Sequence, residues 1–125
     1  MIRFDNEIAI LLQQLVINKS GGSLGVRDLG LLDSALNSSC QTFGGVELYP
    51  TFEEKGARLG FNLVSNHAFV DGNKRIGLLI MLTFFAINKV NLKYTDEDLV
   101  YLGLSLADGK LSYDELLSWI KEHKV

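Results

Sequence analysis

The stretch HAFVDGNKR, residues 67–75, runs directly into IGLLIMLTFFAI, residues 76–87. The second half is apolar around most of a helix's circumference, so neighbours must surround it and the fold is built round a buried helix. That helix is predicted from about Asn73 to Asn88, with Gly77 marking a close approach to a neighbour because a mid-helix glycine otherwise costs helix propensity. The first half crowds one imidazole (His67), one carboxylate (Asp71), one glycine (Gly72), one amide (Asn73) and two cations (Lys74 and Arg75) into the turn that feeds the helix N-terminus. Backbone N–H groups point outward at such a place, and the macrodipole there favours an anion.

Working outward from this centre, Asp5 caps a helix from about Asn6 to Asn18, with Ile8, Leu11, Leu12, Leu15 and Val16 as its core face. Ser20, Gly21, Gly22 and Ser23 stop it, and Asp28 starts a short helix carrying Leu29, Leu31, Leu32, Ala35 and Leu36. Arg27 is read as structural, since an arginine beside a loop can bind several carbonyls at once. Between Gln41 and Tyr49 the helical pattern breaks at Gly44 and Gly45, which permits a flap or short hairpin. Such an edge can align an extended polypeptide by β-augmentation, although periodicity alone favours a plain connection. Thr51 and Glu54 have capping-box spacing and open a third helix through Ala57, Leu59, Phe61, Leu63 and Val64, with Gly56 and Gly60 four apart for close helix packing. Thr95 caps a fifth helix to about Ala107, and Ser112 with Glu115 caps a last one carrying Leu116, Leu117, Trp119 and Ile120. The expectation is all-α: a single-domain, compact bundle of about six helices over residues 1–125, with one short flap or hairpin.

Composition narrows the classes of function. A chain of 125 residues can bury a core without staples, and its single Cys40 cannot form an internal disulfide. With no signal-peptide pattern, the expected location is cytoplasmic. The longest apolar run, Ile76 to Ile87, is far short of the ~20 residues that span a bilayer, so no membrane partner is expected. Net charge is −3 and the cations are scattered, which argues against nucleic acid as a partner.

At residues 67–75 a nucleoside triphosphate would meet a set of complementary groups. The N–H groups of Gly72, Asn73 and Lys74 can converge on phosphate oxygens, and Lys74 and Arg75 add charge-assisted hydrogen bonds. Asp71 can hold a Mg²⁺ that bridges phosphates. An imidazole, with a reference pKa of about 6.5, suits a general base near neutral pH, which assigns that role to His67. Phe69 should point into the core and fix the loop. Taken singly, Asp71 reads first as the N-cap of the central helix, and His67 as an offset to the C-terminal dipole of the helix before it. Lys74 and Arg75 resist such a reading, because cations at a helix N-terminus oppose the dipole and call for an anion.

His67, Phe69, Asp71, Gly72 and Asn73 resemble the signature of the Fic and Doc superfamily: His, any, Phe, any, Asp or Glu, Gly or Ala, Asn, between two helices. Gly25 to Leu36, Thr42 to Pro50 and the helix from Ile76 look like the Doc (death on curing) branch. AMP-transferring Fic enzymes carry Gly after the Asn and a second Arg further on, where this chain has Lys74 and Leu78. The resemblance therefore implies an ATP-dependent protein kinase with His67 as base, Asp71 as Mg²⁺ ligand, and Asn73, Lys74 and Arg75 as phosphate binders. It further implies a toxin that phosphorylates a threonine of elongation factor Tu, blocking translation and arresting growth, held by an antitoxin whose disordered tail folds on binding. No inhibitory helix with Ser or Thr, three residues, Glu and Gly or Asn is found in the sequence, which favours inhibition in trans. Adenylyl transfer, and a non-catalytic phosphate- or peptide-binding module, are the alternative readings.

Overall fold

The computed structural model describes residues 4–125. Six helices are present among them: α1 Asn6–Ser20, α2 Leu29–Asn37, α3 Phe52–Ser65, α4 Asn73–Ile87, α5 Asp96–Ala107 and α6 Tyr113–Glu122. A 3₁₀ turn, Ser38–Cys40, and a hairpin of β1 Thr42–Phe43 with β2 Val46–Glu47 lie between α2 and α3. The expected all-α class is found, and the short flap is a true hairpin. Its register pairs Thr42 with Glu47 and Phe43 with Val46. Gly44 and Gly45 turn it at φ 58° and 81°, the left-handed pair that a tight two-residue hairpin turn requires.

The caps follow the sequence. Side chains of Asp5, Asp28, Thr51, Thr95 and Ser112 each accept a hydrogen bond from a first-turn N–H, and Thr95 with Asp98 and Ser112 with Glu115 form reciprocal capping boxes. At α3 the box is incomplete: the Thr51 hydroxyl donates to Glu54 Oε1 at 2.9 Å, so that carboxylate does not reach back to the backbone.

Helix α4 is the centre of the core, with Ile76, Ile80, Met81, Phe84 and Phe85 essentially without solvent contact. Its closest partner is α3, and glycines make that approach possible. A Cβ on Gly56 would lie 2.2 Å from the Phe85 ring, one on Gly60 2.6 Å from Met81 Sδ, and one on Gly77 2.6 Å from Val64 Cγ2. Residue numbers fall on α4 as they rise on α3, so the helices run antiparallel and residues 66–72 bridge their ends. The 66–72 loop is thereby held at both ends by the close packing of α3 on α4.

Helix α1 departs from expectation. Ile8, Leu11 and Leu15 are about half exposed, and the buried line is Ala9, Gln13 and Ile17, with Leu12 and Val16 partly covered. The apolar period points about a third of a turn away, because the helix seats a glutamine in the core. On α2, Leu29 is likewise exposed while Leu32, Ala35 and Leu36 are buried. No helix among the described residues is long and apolar enough to cross a membrane.

Candidate functional site

The 66–72 loop is held by a strap formed from residues 21–28. Val26 bridges Phe69 in antiparallel fashion, and Val70 N–H donates to Gly25 O at 3.0 Å. The N–H groups of Arg27 and Asp28 both donate to Ala68 O, at 2.8 and 3.0 Å. Arg27 adds its guanidinium, Nε to His67 O at 2.7 Å and Nη2 to Asn66 O at 3.2 Å. This is the structural role expected of Arg27. It supports the one strained residue in the loop, since His67 has φ 54°, a left-handed conformation that costs of order 1 kcal/mol or more for a residue with a Cβ. His67 is exposed, and Phe69 is buried, as expected.

Gln13 ties α1 into the same network. Its amide donates to Ser23 O at 3.2 Å and to Asp71 O at 3.1 Å, and its carbonyl accepts from Gly25 N–H at 3.3 Å. Three backbone groups from two loops are thus satisfied by one side chain that is 1% exposed. Sequence reasoning did not find Gln13, although its place between Ala9 and Ile17, four residues from each, is the signal it left.

A cavity of about 460 Å³ is lined by His67, Val70, Asp71, Gly72, Asn73, Lys74, Arg75 and Ala107. All six residues named as site candidates therefore meet at one place. Gly72 is the N-cap of α4 at φ 79°. Asp71 is not that cap. Its Oδ2 accepts from Ser23 N–H at 3.2 Å and its Oδ1 from Gly72 N–H at 2.8 Å, with Arg75 Nη2 at 3.9 Å. The Ser23 N–H first, the Gly72 N–H next and Arg75 last hold the Asp71 carboxyl below its ordinary carboxylate range, so it is charged at any physiological pH. Gly22 makes this close approach possible, as a Cβ there would stand 2.6 Å from Asp71 Oδ2.

The phosphate-binding candidates differ in how free they are. Asn73 spends its side chain on the loop, accepting from Phe69 N–H at 2.9 Å and donating to Phe69 O at 3.0 Å. What it offers an anion is its backbone N–H, which, with those of Lys74 and Arg75, belongs to the first turn and has no acceptor within the helix. Arg75 reaches back to the end of α1, where Nη1 donates to Ser20 Oγ and, at 3.0 Å, to Gly21 O. Its fork is shared between α1 and Asp71, which the sequence did not reveal. Lys74 lays its stem against Gly103 of α5, where a Cβ would be 3.3 Å from Lys74 Cδ and 3.0 Å from Leu78 Cδ1. No ion pair fixes its ammonium among the described residues.

A divalent ion is a chemical fit only in company. Among the described residues no three His, Cys, Asp or Glu side chains gather to ligate a metal. Asp71 is a single ionised, half-exposed carboxylate with lone pairs left beyond its two backbone bonds. Mg²⁺ is commonly held by one or two carboxylates plus phosphate oxygens and water, so Asp71 suits an ion that arrives with a nucleotide.

A model of the Fic/DOC family matches residues 3–85, which takes in α1 through most of α4 and the whole of the strap, hairpin and loop. The protein named Toxin Doc from Mycolicibacterium smegmatis is similar at 49% identity over 72 residues, covering 58% of this chain and 55% of that protein. The chain thus spans about half the length of the curated relative it matches.

Proposed function

The chain belongs to the Fic/DOC family, and from that premise we propose that it is the toxin of a toxin–antitoxin module, a protein kinase that transfers the γ-phosphoryl group of ATP to a threonine hydroxyl. The observation that carries this reading is the meeting of an exposed His67 imidazole with a helix start that offers three free N–H groups, Lys74 and Arg75. The target oxygen attacks the γ-phosphorus as His67 takes its proton, the bond from the γ-phosphorus to the β,γ-bridging oxygen breaks, and ADP leaves with the electron pair. The α4 N–H groups and Lys74 stabilise charge on the transferring group, and such preorganised donors act without reorganising in the transition state. Mg²⁺, when bound with the nucleotide at Asp71, supplies further neutralisation of phosphate charge.

Kinase chemistry is preferred over adenylyl transfer because of two residues. Where AMP-transferring members carry glycine, Lys74 places a four-carbon stem and an ammonium, and where they carry a second arginine, Leu78 is apolar. In this reading the γ-phosphate of ATP, and not the α-phosphate, is presented to the target hydroxyl at the loop. The edge of the β1–β2 hairpin receives an extended segment of the target, which we take to be elongation factor Tu, so that growth stops through blocked translation. An antitoxin with a disordered tail that folds on binding would keep the chain silent.

ATP labelled at the α or γ phosphate separates the alternatives. Transfer of the γ label alone is the expected result, with loss on His67→Ala and weakening on Lys74→Gly. Transfer of the α label would overturn the kinase assignment in favour of adenylylation. Transfer of neither, with His67→Ala no longer relieving growth arrest on expression, would leave a phosphate- or peptide-binding module.

A further inference from the structure

Lys55, in the first turns of α3, is only 4% exposed, although lysine is among the residues least often buried. Its ammonium has three acceptors for its three protons: Glu47 Oε1 at 3.0 Å, Tyr49 O at 2.6 Å and Ser39 O at 3.5 Å. Ser39 lies just before the hairpin, Tyr49 just after it, and Glu47 within β2. One buried cation therefore ties the incoming leg, the outgoing leg and a strand side chain to α3. One turn further along the helix, Arg58 stacks 5.0 Å from the Tyr49 ring centroid, with Tyr113 at 4.0 Å on the same guanidinium. Two cations of α3 thus grip the outgoing leg, whereas the strands themselves contribute only two residues each.

We propose that Lys55 is a positioning residue, a buried latch that fixes which face and which edge the hairpin turns toward the target. Neighbouring strand residues point to opposite faces. Glu47 reaches Lys55 from one face while remaining about half exposed, and Val46 and its cross-strand partner Phe43, on the other face, are 69% and 81% exposed. The two-residue turn at Gly44 and Gly45 sets the register, and the ion pair fixes how that hairpin is held against α3. Lifting the hairpin would strand an ammonium in the protein interior, and burying a charge without partners is costly. The hairpin is accordingly a fixed rail and not a mobile lid. Its role toward a target rests on the proposed function above, whereas its rigidity does not.

The test compares the full chain with Lys55→Met and with Glu47→Ala, the second changing a half-exposed residue that the core does not need. Hydrogen–deuterium exchange is read at Leu48, whose N–H donates to Gln41 O across the hairpin base, and at α4 as control. Loss of a hydrogen bond to a charged group is expected to speed exchange at Leu48 by about tenfold or more, with α4 amides unchanged. In γ-label transfer to elongation factor Tu, the Michaelis constant for the protein should rise by a similar factor, with turnover number and the constant for ATP unchanged. A general loss of structure would move all three together. Exchange at Leu48 unchanged in both variants overturns the latch. Faster exchange with an unchanged constant for the protein overturns the positioning role. If the unsubstituted chain transferred no label at all, the proposed reaction would fall, while exchange would still decide the latch.

Discussion

Substituting Gly56 by alanine tests the packing that clamps the loop. Phe85 is 1% exposed and is boxed by Phe84, whose ring stands at 65° with centroids 5.9 Å apart. An added Cβ would lie 2.2 Å from two atoms of the Phe85 ring, so the ring or the helix must retreat by more than about 1 Å to reach ordinary carbon contact. Overpacking of this kind costs about 1–3 kcal/mol, and an overlap this deep belongs near the upper end. Replacing a mid-helix glycine by alanine returns about 1 kcal/mol in propensity and backbone entropy. The net expectation is about 2 kcal/mol of destabilisation, a fall in Tm of roughly 6–10 °C for a chain of this size. Urea and thermal unfolding of Gly56→Ala, Phe85→Leu and the double variant measure it. Shrinking the ring relieves the overlap, so the double variant should be more stable than additivity predicts by at least about 1 kcal/mol. A Tm that rises in Gly56→Ala, as for an uncrowded helix glycine, or a cycle that closes at zero, would refute the close-packing argument.

His67→Asn keeps a residue tolerant of the left-handed backbone, so thermal melting should be unchanged while γ-label transfer falls by roughly 10²- to 10⁴-fold. Gln13→Met preserves shape but leaves Gly25 N–H, Ser23 O and Asp71 O without their partner; urea unfolding should show a loss of about 2–4 kcal/mol. The Asp71 carboxyl is held low in the folded state, so it adds stability above its ordinary value of 3.8, and that contribution disappears as pH falls through the lower folded value. Asp71→Asn should therefore unfold at lower urea than the unsubstituted chain at pH 7 and at the same urea in strong acid; a pH-independent gap would count against the backbone bonds from Ser23 and Gly72.

Much of this fold is legible in the sequence. The caps at Asp5, Asp28, Thr51, Thr95 and Ser112 are local chemistry, spelled out within four residues, and so is the glycine pair that turns the hairpin. The central helix was legible because α4 is apolar almost all round and leaves no choice of face. Helix α1 was misread for the converse reason: it has more apolar residues than it can bury, and its true inner line includes Gln13, whose burial is stabilised by backbone groups from Ser23 to Gly25 and from Asp71. Nothing within α1 announces those partners. That residues 67 and 71–75 share one cavity follows from their closeness in sequence, yet the bonds each one makes do not. That the Asn73 amide closes on Phe69, and that Arg75 leans on Ser20 and Gly21, are facts of tertiary geometry, fixed by how α1 ends beside the start of α4.

The strap has a consequence for how this chain can be divided. A cut introduced at the exposed turn of Gly44 and Gly45 would divide the chain in two. Every residue that reads as chemistry, from His67 to Arg75, would lie on the C-terminal piece. Gln13, Gly22, Ser23 and Arg27, which give those residues their shape, would lie on the N-terminal piece. Reactivity and architecture are thus written on opposite sides of one scissile bond, and a fragment carrying the whole signature would still be only half of the site.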